Sequence, residues 1–262
     1  MTAVIRSELR KFFTTRLWWG LLLPVVVAGG LFAWLSAALF AGAEVQPGSR
    51  LPGLDNPQMV SSVYTAGLQV SQVLLLAIGV LTIGAEYRHK TITGTFLATP
   101  RRARVMGAKV VALLGIGALY GLVGTLASFA VGASIIRSKG FDVLPEGALR
   151  TLALSLLVLG LWGLIGLGVG ILIPNQVAAL FIAIGVAWII EPLLALLFSS
   201  QSWGKAIAPY FPSSASQAVV NSVPQPGAEP PLTWWVAALV LAGYAAVMAG
   251  LGTWRTLRAD IS

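Results

Sequence analysis

The chain has 262 residues, of which 57% are apolar and only 10% are charged, and its formal net charge is +8. Soluble domains contain roughly 25% charged residues, so this composition excludes an ordinary soluble protein and indicates a membrane protein. The sequence has no cysteine and a single histidine, His89. This excludes disulfides and thiolate metal sites, and it disfavours a histidine-ligated metal centre.

The first 16 residues predict an amphipathic interfacial helix. Ile5, Leu9, Phe12 and Phe13 recur at helical spacing, and the charged residues at positions 6 to 11 lie elsewhere on the helical wheel. We expect this helix to lie along the inner leaflet, with its apolar face in the acyl chains and its cations among anionic head groups. A solvated basic extension is the alternative.

Six stretches almost free of charge follow: about 17–41, 63–85, 110–136, 151–173, 177–198 and 234–254. At about 1.5 Å rise per residue, each is long enough to cross a hydrocarbon core of about 30 Å as a helix. They are continuously apolar, whereas barrel strands alternate. The first stretch also exceeds the roughly 7 to 15 apolar residues of a secretory signal. The sequence therefore predicts an all-α membrane protein with six spans in one transmembrane domain, 1–262.

The distribution of basic residues predicts the orientation of these spans. When the connections are assigned alternately to the two sides, most of the 17 lysines and arginines fall on the side of the N-terminal arm. The positive-inside rule then places both termini in the cytoplasm and the chain in the cell membrane as a multi-pass protein. Because topology accounts for the basic charge, no nucleic-acid partner is predicted.

The connections differ in character. Residues 42–62 and 199–233 are rich in proline and are predicted external segments. In the second of these, residues 203–211 predict a short interfacial or re-entrant element that Pro212 ends. Residues 174–176 form a minimal turn, so the fourth and fifth spans are expected to pack as an antiparallel hairpin. Glycines in the fourth span, including Gly166 and Gly170, predict close helix approach.

Residues 86–104 form the most specific segment. The second span is expected to emerge into the cytoplasm and to continue as a short helix, in which Glu86 and Lys90 form an i,i+4 pair. Pro100 forces Thr99 out of helical geometry. Ile92, Phe96 and Leu97 form an apolar tip, which favours contact with a soluble partner over an ordinary positively charged loop.

At these residues the sequence resembles the membrane subunits of type-2 ABC exporters, in which a Glu-aromatic-Arg stretch ends the second span. A threonine-containing segment, a proline and a basic start to the third span follow. The matching residues are Glu86, Tyr87, Arg88, Thr91, Thr95, Pro100 and Lys109. The N-terminal helix, the six spans and the long segment before the last span extend the resemblance over nearly the whole chain.

The resemblance implies a permease that dimerises with a second copy or with a sister permease and exports an amphiphilic drug, peptide or lipid. It implies that an ATP-binding cassette ATPase contacts the 88–99 helix. The chain has no GxxxxGK[ST] loop, so ATP and magnesium are expected in that partner, and the chain itself is not predicted to be an enzyme. The implied coupling residues are Glu86, Tyr87, Arg88, Thr91, Ile92, Thr95, Phe96, Leu97 and Pro100.

Two features are candidates for the substrate pathway. Ser61, Thr65, Gln69 and Gln72 predict a polar stripe on the second span, which either lines the pathway, as the resemblance implies, or bonds a neighbouring helix. Glu191 is the only acid inside a predicted span. An intramembrane carboxylate is a candidate gate, proton site or cation contact. Pro192 follows Glu191 directly, so capping of a broken helix near the interface is the alternative.

A second class of function is an ATP-independent, proton-coupled secondary carrier that uses Glu191. The six spans show no evident repeated halves, and a single buried acid without a paired base is a weak basis for this reading. An intramembrane enzyme is disfavoured, because His89 lies outside the predicted spans and clustered acids are absent from them.

Overall fold

The computed structural model describes residues 2–43, 53–89, 91, 102–220 and 231–258, and within these ranges it contains helices and no strand. The helices are α1 (Thr2–Thr14), α2 (Leu17–Ala43), α3 (Pro57–Thr65), α4 (Leu68–Arg88), α5 (Arg102–Ser138), α6 (Ala148–Leu172), α7 (Gln176–Gly185), α8 (Glu191–Ser199), α9 (Ser202–Ile207), α10 (Pro212–Val219) and α11 (Trp234–Arg258). A π-helical turn, Val186–Ile190, joins α7 to α8, and a 3-10 turn, Ala208–Tyr210, follows α9.

Six helical segments are long and apolar enough to cross a membrane: α2, α3 with α4, α5, α6, α7 with α8, and α11. Together with α1 they confirm the predicted all-α fold with six spans. The second and third segments are longer than predicted, running over Pro57–Arg88 and Ala103–Ser138. A span predicted from hydropathy ends where the continuous apolar stretch ends. The backbone hydrogen bonds of a helix do not require apolar side chains, so these helices continue past their apolar stretches.

The second span is broken at Ala66 and Gly67. At this point the chain passes close to α2, since a Cβ on Gly67 would lie 2.8 Å from the carbonyl oxygen of Ala28 and 2.8 Å from the Cα of Gly29. α3 begins at Pro57 after Asn56, whose side-chain oxygen accepts the Gln58 N–H at 2.8 Å. The predicted continuous helix over residues 63–85 is therefore two helices, and the break is at a glycine contact.

α4 and α6 form the centre of the bundle. About two thirds of the α6 span is buried (67%), against 17% of the fifth span. The glycines of α6 contact several neighbours: Gly166 lies against the Leu76 carbonyl and Gly170 against Val80 of α4, while Gly168 lies against Met248 of α11. This confirms the predicted close approach, because side chains at these positions would separate the backbones.

The fifth and sixth spans lie at the periphery. Large apolar side chains of α7 and α8 remain exposed, including Phe181 and Leu196. In a bilayer such side chains face lipid or an apolar surface of another chain. Asn175 caps α7 by accepting the N–H groups of Val177 and Ala178 at 3.0 and 3.1 Å, so the predicted short turn is present. α7 packs more extensively on α4 than on α6, and the expected hairpin of the fourth and fifth spans is therefore an open one.

The described part of the segment before α11, up to residue 220, folds back into the bundle. The last helix in this part, α10, packs against α6 and α11 and buries Ala215 and Ser216. The prediction that Pro212 ends the preceding element is correct only for the 3-10 turn, because Pro212 is also the first residue of α10. Proline is well suited to that position, since its missing N–H would have no helical partner there.

Candidate functional site

Four charged side chains meet where α1, α4 and α5 come together. Lys109 Nζ lies 2.6 Å from Glu8 Oε2 and 2.7 Å from Glu86 Oε1. Lys11 Nζ lies 2.7 Å from Glu8 Oε1 and 2.8 Å from Glu86 Oε1. We call Glu8, Lys11, Glu86 and Lys109 the charge ring, because each residue contacts two residues of opposite sign and the contacts close on themselves.

Each helix presents its ring residues for a local reason. Glu8 and Lys11 are three residues apart on α1 and so lie on one face. Glu86 lies in the last turn of α4, and Lys109 in the second turn of α5. The α1 face that carries Glu8 also carries Leu9 and Phe12, which pack against the bundle core. The predicted apolar face of α1 therefore contacts protein as well as any surrounding lipid.

Burial decides how these charges behave. The side chain of Lys109 is fully buried, Glu8 and Glu86 are nearly so, and Lys11 is 44% exposed. Isolated charges are very costly in an apolar interior, and pairing with the opposite sign offsets much of that cost. Partial burial by itself lowers the pKa of Lys11, but hydrogen bonds to Glu8 and Glu86 outweigh it and hold the pKa above the usual 10.5.

Aromatic contacts support α1 beside the charge ring. The ring of Phe12 meets that of Tyr120 edge to face, with centroids 6.0 Å apart. The Tyr120 hydroxyl donates to the backbone carbonyl of Trp18 in α2. Phe13 in turn meets Trp18 at 6.0 Å. These contacts fix the turn between α1 and α2 against α5.

The predicted coupling residues lie next to the charge ring or outside the described ranges. Glu86 is a ring member, Tyr87 is half-buried against the core, and Arg88 and Thr91 are exposed. Ile92, Thr95, Phe96, Leu97 and Pro100 lie outside the described residues, so their predicted contacts are untested. Lys90, the expected partner of Glu86, also lies outside them. Within the described part, Glu86 pairs with Lys11 and Lys109.

The polar stripe of the second span is interrupted by the break between α3 and α4. Ser61 and Gln72 are buried and Gln69 is exposed. Thr65 is half-buried, donates to the Ser61 carbonyl at 3.1 Å, and lines a cavity of about 10 Å³ with other hydroxyl groups. This volume holds about one water molecule. The cavity at Thr65 is therefore too small for a substrate in this conformation.

Glu191 begins α8 after the π-helical turn and is buried. Its Oε1 accepts the backbone N–H of Ser213, in the first turn of α10, at 2.6 Å. α10 is also held by Trp162, whose indole N–H donates to Ser216 at 2.8 Å. A carboxylate at a helix N-terminus satisfies a free N–H and suits the helix dipole. Glu191 therefore caps a helix, as the capping alternative expected, but the helix that it caps is α10.

Sequence reasoning identified Glu86 and Lys109 but missed Glu8 and Lys11. Glu8 is the only acid in a strongly basic helix, and that isolation was the available signal. Which cation it meets depends on the docking of α1, which joins residues 101 apart in sequence. Within the described ranges, no three His, Asp or Glu side chains cluster closely enough to hold a metal ion.

Comparison with known protein families and with curated proteins finds no match to this chain.

Proposed function

We propose that the chain is the permease subunit of an ATP-binding cassette exporter, located in the cell membrane with both termini in the cytoplasm. It forms the substrate pathway with a second permease copy, identical or related, and couples to a separate ATPase subunit that binds ATP and magnesium. The cargo class is an amphiphilic drug, peptide or lipid. ATP binding and hydrolysis in the partner would bias the spans between inward-open and outward-open arrangements.

One structural contact supports the proposal in addition to the sequence resemblance. Glu86 and Lys109, two members of the matching motif, are 23 residues apart and lie in direct contact at 2.7 Å. They belong to the two helices that border residues 92–101, and α1 packs on the same point. An ATPase that moves this segment would therefore act directly on two spans and on the N-terminal helix.

The first experiment is affinity purification of the tagged chain in mild detergent from its native host, followed by mass spectrometry. We expect a stoichiometric ATP-binding cassette protein. Recovery of the chain alone across several detergents would contradict the proposal and would favour the proton-coupled carrier based on Glu191.

A second experiment tests the contact itself. The double variant Phe96→Asp/Leu97→Asp is expected to lose the ATPase subunit and substrate-stimulated ATP hydrolysis while still inserting into the membrane, because two charges replace the predicted apolar tip. The matched control is Leu144→Asp/Leu149→Asp, which changes two exposed leucines at the end of the bundle opposite α1. Unchanged ATPase binding in the first variant would show that residues 96 and 97 are not the contact.

A further inference from the structure

The charge ring has an unusual construction for a contact between an interfacial helix and a bundle. Its four contacts, from 2.6 to 2.8 Å, join three helices and leave no net charge. Oε1 of Glu86 accepts hydrogen bonds from both lysines. Its buried Oε2 has no hydrogen-bond partner among the described residues. Among the described residues, the contact is thus directional and electrically neutral, with one carboxylate oxygen left without a hydrogen-bond partner.

The charge ring also spans the boundary between interior and surface. Lys109 is fully buried at one corner, whereas Lys11 is 44% exposed at the opposite corner. Buried ion pairs often stabilise a protein no more than apolar packing does, but they demand one geometry. Since one corner is exposed, water can hydrate the charges as soon as α1 shifts. The ring therefore specifies where α1 docks and can open at its Lys11 side.

We propose that the charge ring is a reversible contact that docks α1 onto the ends of α4 and α5. When the ring is closed, α1 moves with these two helices, and when the ring opens, α1 separates from them. This inference concerns the chain by itself and does not depend on an ATPase partner. Apolar contacts of Leu9 and Phe12 assist docking, but the alternation of charge sets its register.

Alternation gives a decisive test, because the order around the ring is Glu8, Lys11, Glu86, Lys109. Exchanging charges within either neighbouring pair, Glu8→Lys/Lys11→Glu or Glu86→Lys/Lys109→Glu, places like charges side by side at two of the four contacts. Combining all four substitutions inverts every charge and restores opposite signs at every contact. Loss of docking in both pairwise exchanges, followed by its recovery in the fourfold inversion, cannot result from a simple change in polarity, size or net charge.

The readout is the distance between spin labels on α1 and α5, measured by electron paramagnetic resonance on the full-length purified chain in nanodiscs. The chain has no cysteine, so Arg10→Cys and Arg104→Cys, both at exposed positions, take the labels without background. A control pair, Leu149→Cys and Leu239→Cys, reports α6 against α11, which the charge ring does not touch.

We expect one narrow distance for the wild-type ring, loss of that distance in either pairwise exchange, and its recovery in the fourfold inversion, with the control pair unchanged throughout. Pairwise exchanges that keep the narrow distance would overturn the proposal. So would a folded fourfold inversion, with its control distance intact, that fails to recover the docked distance.

A milder variant keeps the test informative if charge inversion prevents folding. Glu8→Gln preserves the shape of a residue on α1, which is not one of the six spanning segments, so the bundle is expected to fold. It should broaden the α1 to α5 distance, and the same substitution in a Lys109→Met background should add little. An unchanged distance in Glu8→Gln would mean that apolar contacts alone dock α1, and the proposal would fail.

Discussion

At the scale of single residues, the central fact is a lysine whose side chain is fully buried where α1, α4 and α5 meet. Lys109 is tolerated there because two carboxylates lie within 2.7 Å of its ammonium group. The sequence marked Glu86 and Lys109 as motif residues, and the local partner that it predicted for Glu86, Lys90, lies outside the described residues. The observed partners come from other helices, and local spacing carries no information about them.

Replacing Lys109 with methionine is expected to lower the free energy of unfolding by about 3 to 5 kcal/mol, because Glu8 and Glu86 then share one remaining cation in a buried site. Thermal unfolding in detergent measures this loss. The matched control is Lys139→Met at an exposed position, where a change within about 0.5 kcal/mol is expected. Equal stability of Lys109→Met and wild type would mean that burial of the carboxylates costs little without Lys109.

The raised pKa of Lys11 predicts an alkaline limit for α1 docking. A lysine whose folded-state pKa exceeds its unfolded value contributes stability that is complete below the unfolded value, near 10.5, and is lost as pH rises through the folded value. The α1 to α5 spin-label distance should therefore stay constant from pH 7 to about 10.5 and broaden as the pH rises further through the folded-state pKa. In Lys11→Gln the distance should not change further over the same range, and an identical profile in both proteins would contradict this assignment.

At the scale of elements, glycine spacing predicted the packing of α6 correctly, whereas the form of three irregularities was not predicted. These are the break at Gly67, the π-helical turn before Glu191 and the start of α10 at Pro212. Glycine spacing is a property of one helix and is visible in its sequence. The break depends on how closely α2 approaches Gly67, and the returning helix α10 depends on its packing against α6 and α11. Only the assembled bundle determines these contacts.

The packing of α4 on α6 predicts a sharp contrast between two glycines. Gly166→Ala places a methyl group against the Leu76 carbonyl and is expected to cost about 1 to 3 kcal/mol of stability. Gly115→Ala on α5 has no atom within 4 Å of the new methyl group and should be neutral or stabilising by up to about 1 kcal/mol. Thermal unfolding compares the two, and equal effects would contradict the observed close approach.

The contact between Glu191 and α10 predicts different results for two substitutions. Glu191→Gln keeps an oxygen acceptor for the Ser213 N–H and should fold with nearly wild-type stability. Glu191→Ala leaves that N–H without an acceptor and is expected to cost about 1 to 3 kcal/mol. Transport assays on the stable Glu191→Gln protein then separate the two roles: retained transport indicates capping only, and loss of transport indicates a protonation or substrate role.

At the scale of the whole molecule, α5 defines the two ends of the bundle. Lys109 and Ser138 are 29 positions apart on one helix, which corresponds to about 44 Å and matches a bilayer of about 40 to 45 Å including head groups. The charge ring and the turn after α5 therefore lie at opposite membrane surfaces. Which surface is cytoplasmic rests on the distribution of basic residues.

Cysteine labelling tests that orientation. Ser7→Cys on α1 and Ser138→Cys at the end of α5 are both exposed, and no native cysteine competes for the reagent. In intact cells, a membrane-impermeant maleimide is expected to label Ser138→Cys, and to label Ser7→Cys only after permeabilisation. The reverse pattern would place α1 and the charge ring outside the cell and would remove them from the reach of a cytoplasmic ATPase.

The sequence by itself determined the number of spans, the α1 helix and the glycine contacts of α6. The spans follow from hydropathy, because a bilayer requires long apolar helices. The α1 helix and the glycine contacts follow from the spacing of residues within single helices. Tertiary structure alone decided the charge ring, the break in the second span and the contact of Glu191 with α10. Each of these joins side chains or backbone atoms from helices that are distant in sequence, so only helix packing can bring them together.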